Sequence, residues 1–280
     1  MVITLVYLIL IIVSLLKSIA IAQTTSSGNW SENLRKAEQF IKRAKAEKAK
    51  MIVFPEYFMN YYPDADHKYI EKAQTLHGDF VSQMKVFAKE YKMWIIFGMN
   101  EKTVDETKNY NTMAVINENG QLIAHYHKTH LFNAYKWQES RDTIEGDRFF
   151  EPVQTPIGML GLGICYDLRF PEAARYEALK GTQVMIYPSA WVKGENKFIQ
   201  WESLLRARAI ENEMYVLGCC HYSEKHYMGR STGFGPDGDR LYQGVEREEL
   251  LFAAIDLEQI KIVRKANPVF ENRRRDLYEW

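Results

Sequence analysis

The chain is expected to adopt an α/β fold, a layered domain around a mixed β-sheet, and two features of its 280 residues lead there. Short apolar runs of strand length alternate with segments whose apolar residues recur at i, i+3 and i+4, the pattern of β-α-β units. Tight turns such as Asn119-Gly120 and Pro236-Asp237-Gly238 join neighbouring runs as antiparallel hairpins, so parallel and antiparallel pairs should share a sheet.

Residues 19–22 read as a buried first strand. Residues 33–49 read as a helix, since Leu34, Ala37, Phe40, Ile41 and Ala44 fall on one face and Ser31 is placed to cap its start. Residues 51–54 form a short apolar strand that Pro55-Glu56 ends. A second helix over 80–91 carries Val81, Met84, Phe87 and Ala88 on one face. Strands follow at 94–98 and 111–116, and Asn119-Gly120 turns the chain into 121–125. The pattern then gives a strand over 158–165, a helix over 171–180 and a strand over 184–187. A helix over 200–212, a strand over 215–219 and a last hairpin of 231–234 with 240–243 complete it. Repeats, low-complexity tracts and Pro/Ser-rich linkers are absent, which argues for one domain over 17–262. The tail 263–280, with Arg273-Arg274-Arg275, is expected to be a solvated or dimer-interface segment.

Composition excludes several function classes. Lys plus Arg and Asp plus Glu both number 36, so there is no basic excess to bind nucleic acid. The 3 cysteines, Cys165, Cys219 and Cys220, cannot build a disulfide framework. The apolar run over 2–16 falls short of a roughly 30 Å hydrocarbon core at about 1.5 Å per helical residue. Three readings stand for it: a membrane anchor, a cleaved signal ending at Ala20-Ile21-Ala22, or an extension upstream of a start near Lys17. Against the signal, no Lys or Arg precedes the run, and cleavage would remove the first strand. A cytoplasmic location is expected if the run is only an extension.

Four local features carry chemistry. Phe54-Pro55-Glu56 sets a carboxylate just past an apolar strand. His127-Lys128-Thr129-His130 puts a lysine at the end of a hairpin strand, and Trp137-Gln138-Glu139-Ser140 lies in a loop. In Gly161-Leu162-Gly163-Ile164-Cys165-Tyr166-Asp167-Leu168-Arg169-Phe170-Pro171-Glu172 the cysteine falls where a strand stops and a helix is about to begin at Pro171. Such a corner projects a side chain from the sheet edge and frees backbone N–H groups to stabilise an oxyanion. Cys165 is therefore placed to be a nucleophile, although a buried structural cysteine fits that position equally well. A carboxylate such as Glu56 could take its proton, and a nearby lysine favours thiolate.

The ordered set FPE, HKTHLF, WQES and GICYDLRFPE resembles the nitrilase superfamily of carbon–nitrogen hydrolases, from about Lys17 to the C-terminus. Tyr187-Pro188-Ser189-Ala190 and Leu205-Arg206-Ala207-Arg208-Ala209-Ile210-Glu211-Asn212 extend the resemblance. It implies a Glu-Lys-Cys triad at Glu56, Lys128 and Cys165, with Glu139 as an assisting carboxylate and the Tyr166 backbone N–H as an oxyanion donor. It also implies a four-layer α-β-β-α sandwich, dimerising to eight layers, with no metal or organic cofactor. Candidates to line the substrate site are Tyr62, Arg169, Ser189, Ala190 and Trp191; Arg169 and Arg208 could meet a distal substrate carboxylate, unless they pair with Glu172 or Glu211.

The residues after the cysteine narrow the branch. Nitrilases proper typically carry Trp-Glu there, carbamoylases Asn-Asp-Arg-Arg and aliphatic amidases His-Asp-Gly. Cys-Tyr-Asp-Leu-Arg-Phe-Pro-Glu is most similar to the Nit branch, which includes ω-amidases of short dicarboxylic monoamides and deaminated glutathione amidases. The implied substrates are a small amide and water. A nitrile or carbamoyl-amide hydrolase of the same superfamily and a catalytically silent interaction protein are the alternatives. Gly229-Arg230-Ser231-Thr232 departs from the Gly-His-Ser of many relatives. His125, His127 and His130 share no ligand spacing with a carboxylate or thiol, so they read as structural, and Cys219-Cys220 reads as core.

Overall fold

The computed structural model describes residues 17–61, 68–104 and 107–278; the apolar run at the start lies outside them. Two mixed sheets form where the residue pattern alone suggested one. The first contains β1 (Lys17–Gln23), β2 (Met51–Val53), β3 (Trp94–Lys102), β4 (Asn109–Ile116), β5 (Leu122–His127), β6 (Thr143–Ile144) and β13 (Glu249–Ile255), in the order β13-β1-β2-β3-β4-β5 with β6 beside β4. The second contains β7 (Val153–Thr155), β8 (Gly158–Leu162), β9 (Val184–Ser189), β10 (Tyr215–Cys220), β11 (Thr232–Phe234) and β12 (Arg240–Gln243), in the order β12-β11-β10-β9-β8-β7. Each has a parallel centre, β1-β2-β3 in one and β8-β9-β10 in the other, with antiparallel strands on both flanks.

Successive side chains of a strand face opposite ways, and here both faces are apolar. Ile19, Ile21, Met51, Val53, Ile96 and Val115 meet Leu160, Leu162, Val184, Ile186 and Leu217 in a core between the sheets. Ala20, Ala22, Ile52, Ile95 and Phe97 face outward and pack on helices α1 (Trp30–Ala46) and α3 (Asp79–Tyr91). On the other side Met185, Tyr187 and Val216 pack on α4 (Pro171–Leu179) and α5 (Lys197–Asn212). The result is a four-layer α-β-β-α sandwich. The short helix α2 (Lys68–Glu71) and the C-terminal α6 (Leu257–Ala266) complete it.

Boundaries shift for local reasons. Helix α1 starts at Trp30 because Asn29, not Ser31, is its cap: the Asn29 side chain accepts the Ser31 N–H at 3.0 Å. Strand β13 and helix α6 escape the sequence pattern. The strand is defined by its antiparallel register on β1, Ala254 opposite Ser18 and Leu250 opposite Ala22, a pairing more than 200 positions distant along the chain. Among the described residues no helix is long and apolar enough to cross a membrane.

Candidate active site

The segments that follow β2, β5, β8 and β9 converge on a cavity of about 470 Å³ lined by Glu56, Lys128, Glu139, Cys165, Tyr166 and Arg169, among others. Placement at strand ends follows from the fold, since a strand interior is committed to its neighbours and only the following loop can present side chains.

Glu56 leaves β2 in a turn that lies directly on Gly98 of β3. A Cβ at Gly98 would meet the Tyr57 nitrogen, the Pro55 oxygen and the Glu56 carbonyl carbon at 2.5–2.8 Å, so only glycine lets the turn settle there. The carboxylate is 1% exposed. Its Oε1 accepts from Asn111 Nδ2 at 2.8 Å and from Lys128 Nζ at 3.0 Å, and its Oε2 accepts the Ala190 N–H at 2.7 Å.

Lys128 leaves β5 with its backbone pinned on both sides: its N–H donates to the Asn111 carbonyl at 2.9 Å and its carbonyl accepts from Gly146 at 2.8 Å. The ammonium lies between two carboxylates, 3.0 Å from Glu56 and 2.8 Å from Glu139 Oε2. Burial alone would lower its pKa, but Glu139 and Glu56 outweigh this and hold it well above the usual lysine value. Glu139 opens a short turn, Glu139–Arg141, and also accepts from Phe132 N at 2.6 Å, Tyr57 Oη at 2.8 Å and Asn111 Nδ2 at 3.0 Å. Burial pushes its pKa up, yet the Lys128 charge and these hydrogen bonds bring it below the ordinary carboxylate range.

Cys165 sits beyond β8, which stops at Leu162, not at the cysteine; Gly163 and Ile164 bend away and a 3₁₀ turn runs from Cys165 to Arg169. The bend needs Gly163, because a Cβ there would meet the Tyr187 ring. Cys165 takes φ 46°, a left-handed conformation that costs a non-glycine residue about 1–3 kcal/mol. Asp167 holds it. Its Oδ2 accepts Ile164 N–H at 2.8 Å and Tyr126 Oη at 2.9 Å, and its Oδ1 accepts His130 N–H at 3.0 Å. One carboxylate thus ties the cysteine turn to the lysine loop. Burial, then the Glu56 charge, push the Cys165 thiol well up against the pull of Lys128, so the resting sulfur keeps its proton.

The other candidates divide. Tyr166 lines the cavity and is the second residue of the turn, where a helix start leaves N–H groups without internal partners. Arg169 and Trp191 line it together, the guanidinium 5.0 Å over the indole, and Ala190 contributes its N–H. Ser189 does not line it: the alternation of β9 sets it with Met185 and Tyr187, fully buried, its Oγ on the Tyr187 carbonyl at 3.2 Å. Arg208 does not either; it braces the cysteine turn from α5, donating to the Leu168 carbonyl and to Glu211, each at 2.9 Å. Tyr62 lies outside the described residues. Arg230 pairs with Glu246 at 3.1 Å and stacks over Phe198, and is not part of the lining. His127 meets Glu101 and His130 meets Asp167, and Cys219 and Cys220 are fully buried.

Sequence reasoning missed Tyr57, Asn111 and Lys197. A polar residue at an inward position of an apolar strand was the available signal for Asn111. Lys197 gave none, because the helix it opens reads as starting three residues later.

Comparison with known proteins places this arrangement. The carbon-nitrogen hydrolase family matches residues 18–265. The NitFhit fusion protein of Caenorhabditis elegans is 34% identical over 271 residues, which cover 93% of this chain but only 61% of that protein; its crystal structure superposes with TM-score 0.87. Omega-amidase NIT2 of Homo sapiens is 34% identical over 270 residues, 93% of this chain and 96% of that one. The crystal structure of Saccharomyces cerevisiae Nit3, described as a member of branch 10 of the nitrilase superfamily, is 32% identical with TM-score 0.83, covering 92% of this chain and 97% of that chain. With its fold, its ordered motifs and a match along almost all of its described length, this chain belongs to the carbon-nitrogen hydrolase family, in the nitrilase superfamily.

Proposed function

We propose that the protein is a cysteine-dependent amidase that converts a small carboxamide and water to a carboxylate and ammonia through a Cys165 thioester. The observation that carries this reading is the Lys128 ammonium held between Glu56 and Glu139 at the cavity that Cys165 lines. Glu56 takes the thiol proton as sulfur attacks the carboxamide carbon. The oxyanion that forms is met by the Lys128 ammonium and the Tyr166 N–H, a kind of contact whose loss costs about 2.7–4 kcal/mol per donor. Collapse breaks the C–N bond, and Glu56 passes its proton to the departing nitrogen, which leaves as ammonia. Glu56 then takes a proton from water as its oxygen attacks the thioester, and returns that proton to sulfur when the C–S bond breaks. Because the resting thiol is protonated, proton transfer and attack are coupled; no standing thiolate is needed. Glu139 positions Lys128 and leaves the thiol proton alone.

The favoured substrate is the ω-amide of a short dicarboxylic acid, with Arg169 facing the free carboxylate. Relatives named omega-amidase and deaminated glutathione amidase support this. Residues 17–262 would form the catalytic domain and 263–280 a segment at a homodimer interface.

Ammonia release tests the reading across succinamate- and glutaramate-like amides, neutral amides, matched nitriles and carbamoyl amino acids. Amides should react much faster than nitriles; Cys165→Ala should abolish turnover while Cys219→Ala and Cys220→Ala keep it. Nitrile hydrolysis at comparable rates, or an acyl group trapped on Cys219 or Cys220 in place of Cys165, would reverse the assignment.

A further inference from the structure

Lys197, the first residue of α5, lines the same cavity and is 9% exposed. Among the described residues no carboxylate lies within ion-pair distance of its ammonium, whose recorded neighbour is the ring of Tyr135 at 4.2 Å. Arg169 is in a similar state, with neutral partners: the Trp191 ring and the Gln200 side-chain oxygen, to which it donates at 2.7 Å. Trp191 touches both residues: its ring lies under the Arg169 guanidinium, and its Nε1–H donates to the backbone carbonyl of Lys197 at 3.0 Å. Around Cys165 itself the local charge has the opposite sign, since Glu56 and Glu139 share the ammonium of Lys128; Lys136, Arg141 and Asp142 also line the cavity.

A nearly buried ammonium without an anion is costly, and a bound anion compensates it. Lys197 also begins a 16-residue helix, whose N-terminal end favours negative charge. We infer that Lys197, together with Arg169, forms an anion subsite for a carboxylate that the amide substrate carries away from its scissile bond. The inference rests on the amidase reading for the substrate's other end. The two carboxylates around Lys128 also orient the molecule. A carboxylate placed beside Glu56 and Glu139 is repelled, whereas the same group at Lys197 and Arg169 leaves the neutral amide to meet Cys165.

Glutarate binding, measured by calorimetry in the Cys165→Ala protein, tests the subsite without turnover. Adding Lys197→Met should weaken binding about 10- to 100-fold, the loss expected for a charge-assisted hydrogen bond, and Lys197→Arg should restore most of it. In the active enzyme, Lys197→Met should lower the ratio of kcat/KM for glutaramate over valeramide by a similar factor. A purely structural role, such as seating Tyr135, would lower both substrates together and leave that ratio unchanged. An unchanged ratio, or glutarate that binds both proteins equally or neither, overturns the subsite. Glutarate binding that depends on Lys197, in a protein that hydrolyses no amide, would keep the subsite and remove the amidase reading.

Discussion

Glu56 and Glu139 offer the same functional group to the same ammonium, yet their surroundings differ, and the proposed mechanism gives them different work. Glu139 has both oxygens occupied by donors from Lys128, Phe132, Tyr57 and Asn111, a set that favours its ionised form and leaves little room for a proton. Glu56, whose charge acts on Cys165, is the group that the proposed mechanism requires to take and return one. Glu139→Gln keeps the side-chain length and one acceptor, so it should leave a folded enzyme that acylates roughly 10- to 100-fold slower. Glu56→Gln removes the base and should slow acylation by about 10²–10⁴-fold. Stopped-flow acylation of both variants separates the roles; a wild-type rate in Glu139→Gln would place Glu139 among purely structural charges. The motifs made Glu56, Lys128, Cys165 and Glu139 legible as candidates. Asn111 was not, although its amide bridges the two carboxylates, because an asparagine within a strand announces no chemistry until its neighbours are known.

At the scale of elements, the strained turn Cys165–Arg169 stays in place through Asp167, which gathers donors from its own turn and from the loop after β5. Asp167→Ala would strand the buried Ile164 N–H and loosen the link to Lys128. A loss of about 2–4 kcal/mol in urea unfolding is expected, from donors left without partners, with a kcat that falls further than Lys128 pairing alone explains. Asp167→Asn, which keeps acceptor capacity at one oxygen, should lose less of both. If Asp167→Ala unfolds at the wild-type urea concentration, the turn is held by packing and the tie is incidental. Strands with apolar residues on both faces were easy to find in sequence. Where β8 would stop was not, since Gly163 and Ile164 continue the same apolar pattern while the chain already bends.

The whole molecule brings two sheets together, and His221 marks their seam. Its Nδ1 lies 2.9 Å from the Thr24 carbonyl, after β1, and its Nε2 lies 2.5 Å from the Glu56 carbonyl, after β2, while the residue itself follows β10 of the other sheet. Burial lowers its pKa to about 4 against the pull of both carbonyls, so the folded protein holds it neutral where the unfolded chain would bind a proton. The unfolded state therefore takes up more protons between pH 6.5 and about 4. The contribution is intact above pH 6.5 and is lost as pH falls toward 4, amounting to about 2 kcal/mol between pH 7 and 5 at 1.36 kcal/mol per pKa unit. Urea unfolding at pH 7 and 5 should show this decrement in the wild type and a smaller one in His221→Gln. Equal decrements in both proteins would mean that His221 does not carry the linkage.

Period-two and period-3.6 patterning determined most of the strands and helices from sequence alone, because burial of apolar faces is a local, repeating demand on residue type. The ordered motifs likewise carried the resemblance to the family, which the match over residues 18–265 bears out. The resemblance also carried the two-sheet sandwich, which strand periodicity alone did not; only the tertiary structure decided that Glu249–Ile255 pairs with the first strand, and that Ser189 and Arg208 stay out of the cavity lining. It alone placed Asn111 between two carboxylates and left Lys197 without one among the described residues. Hydrogen bonds and ion pairs join residues that are far apart in the chain, and no local pattern records which of many polar side chains will meet once the sheets close on each other.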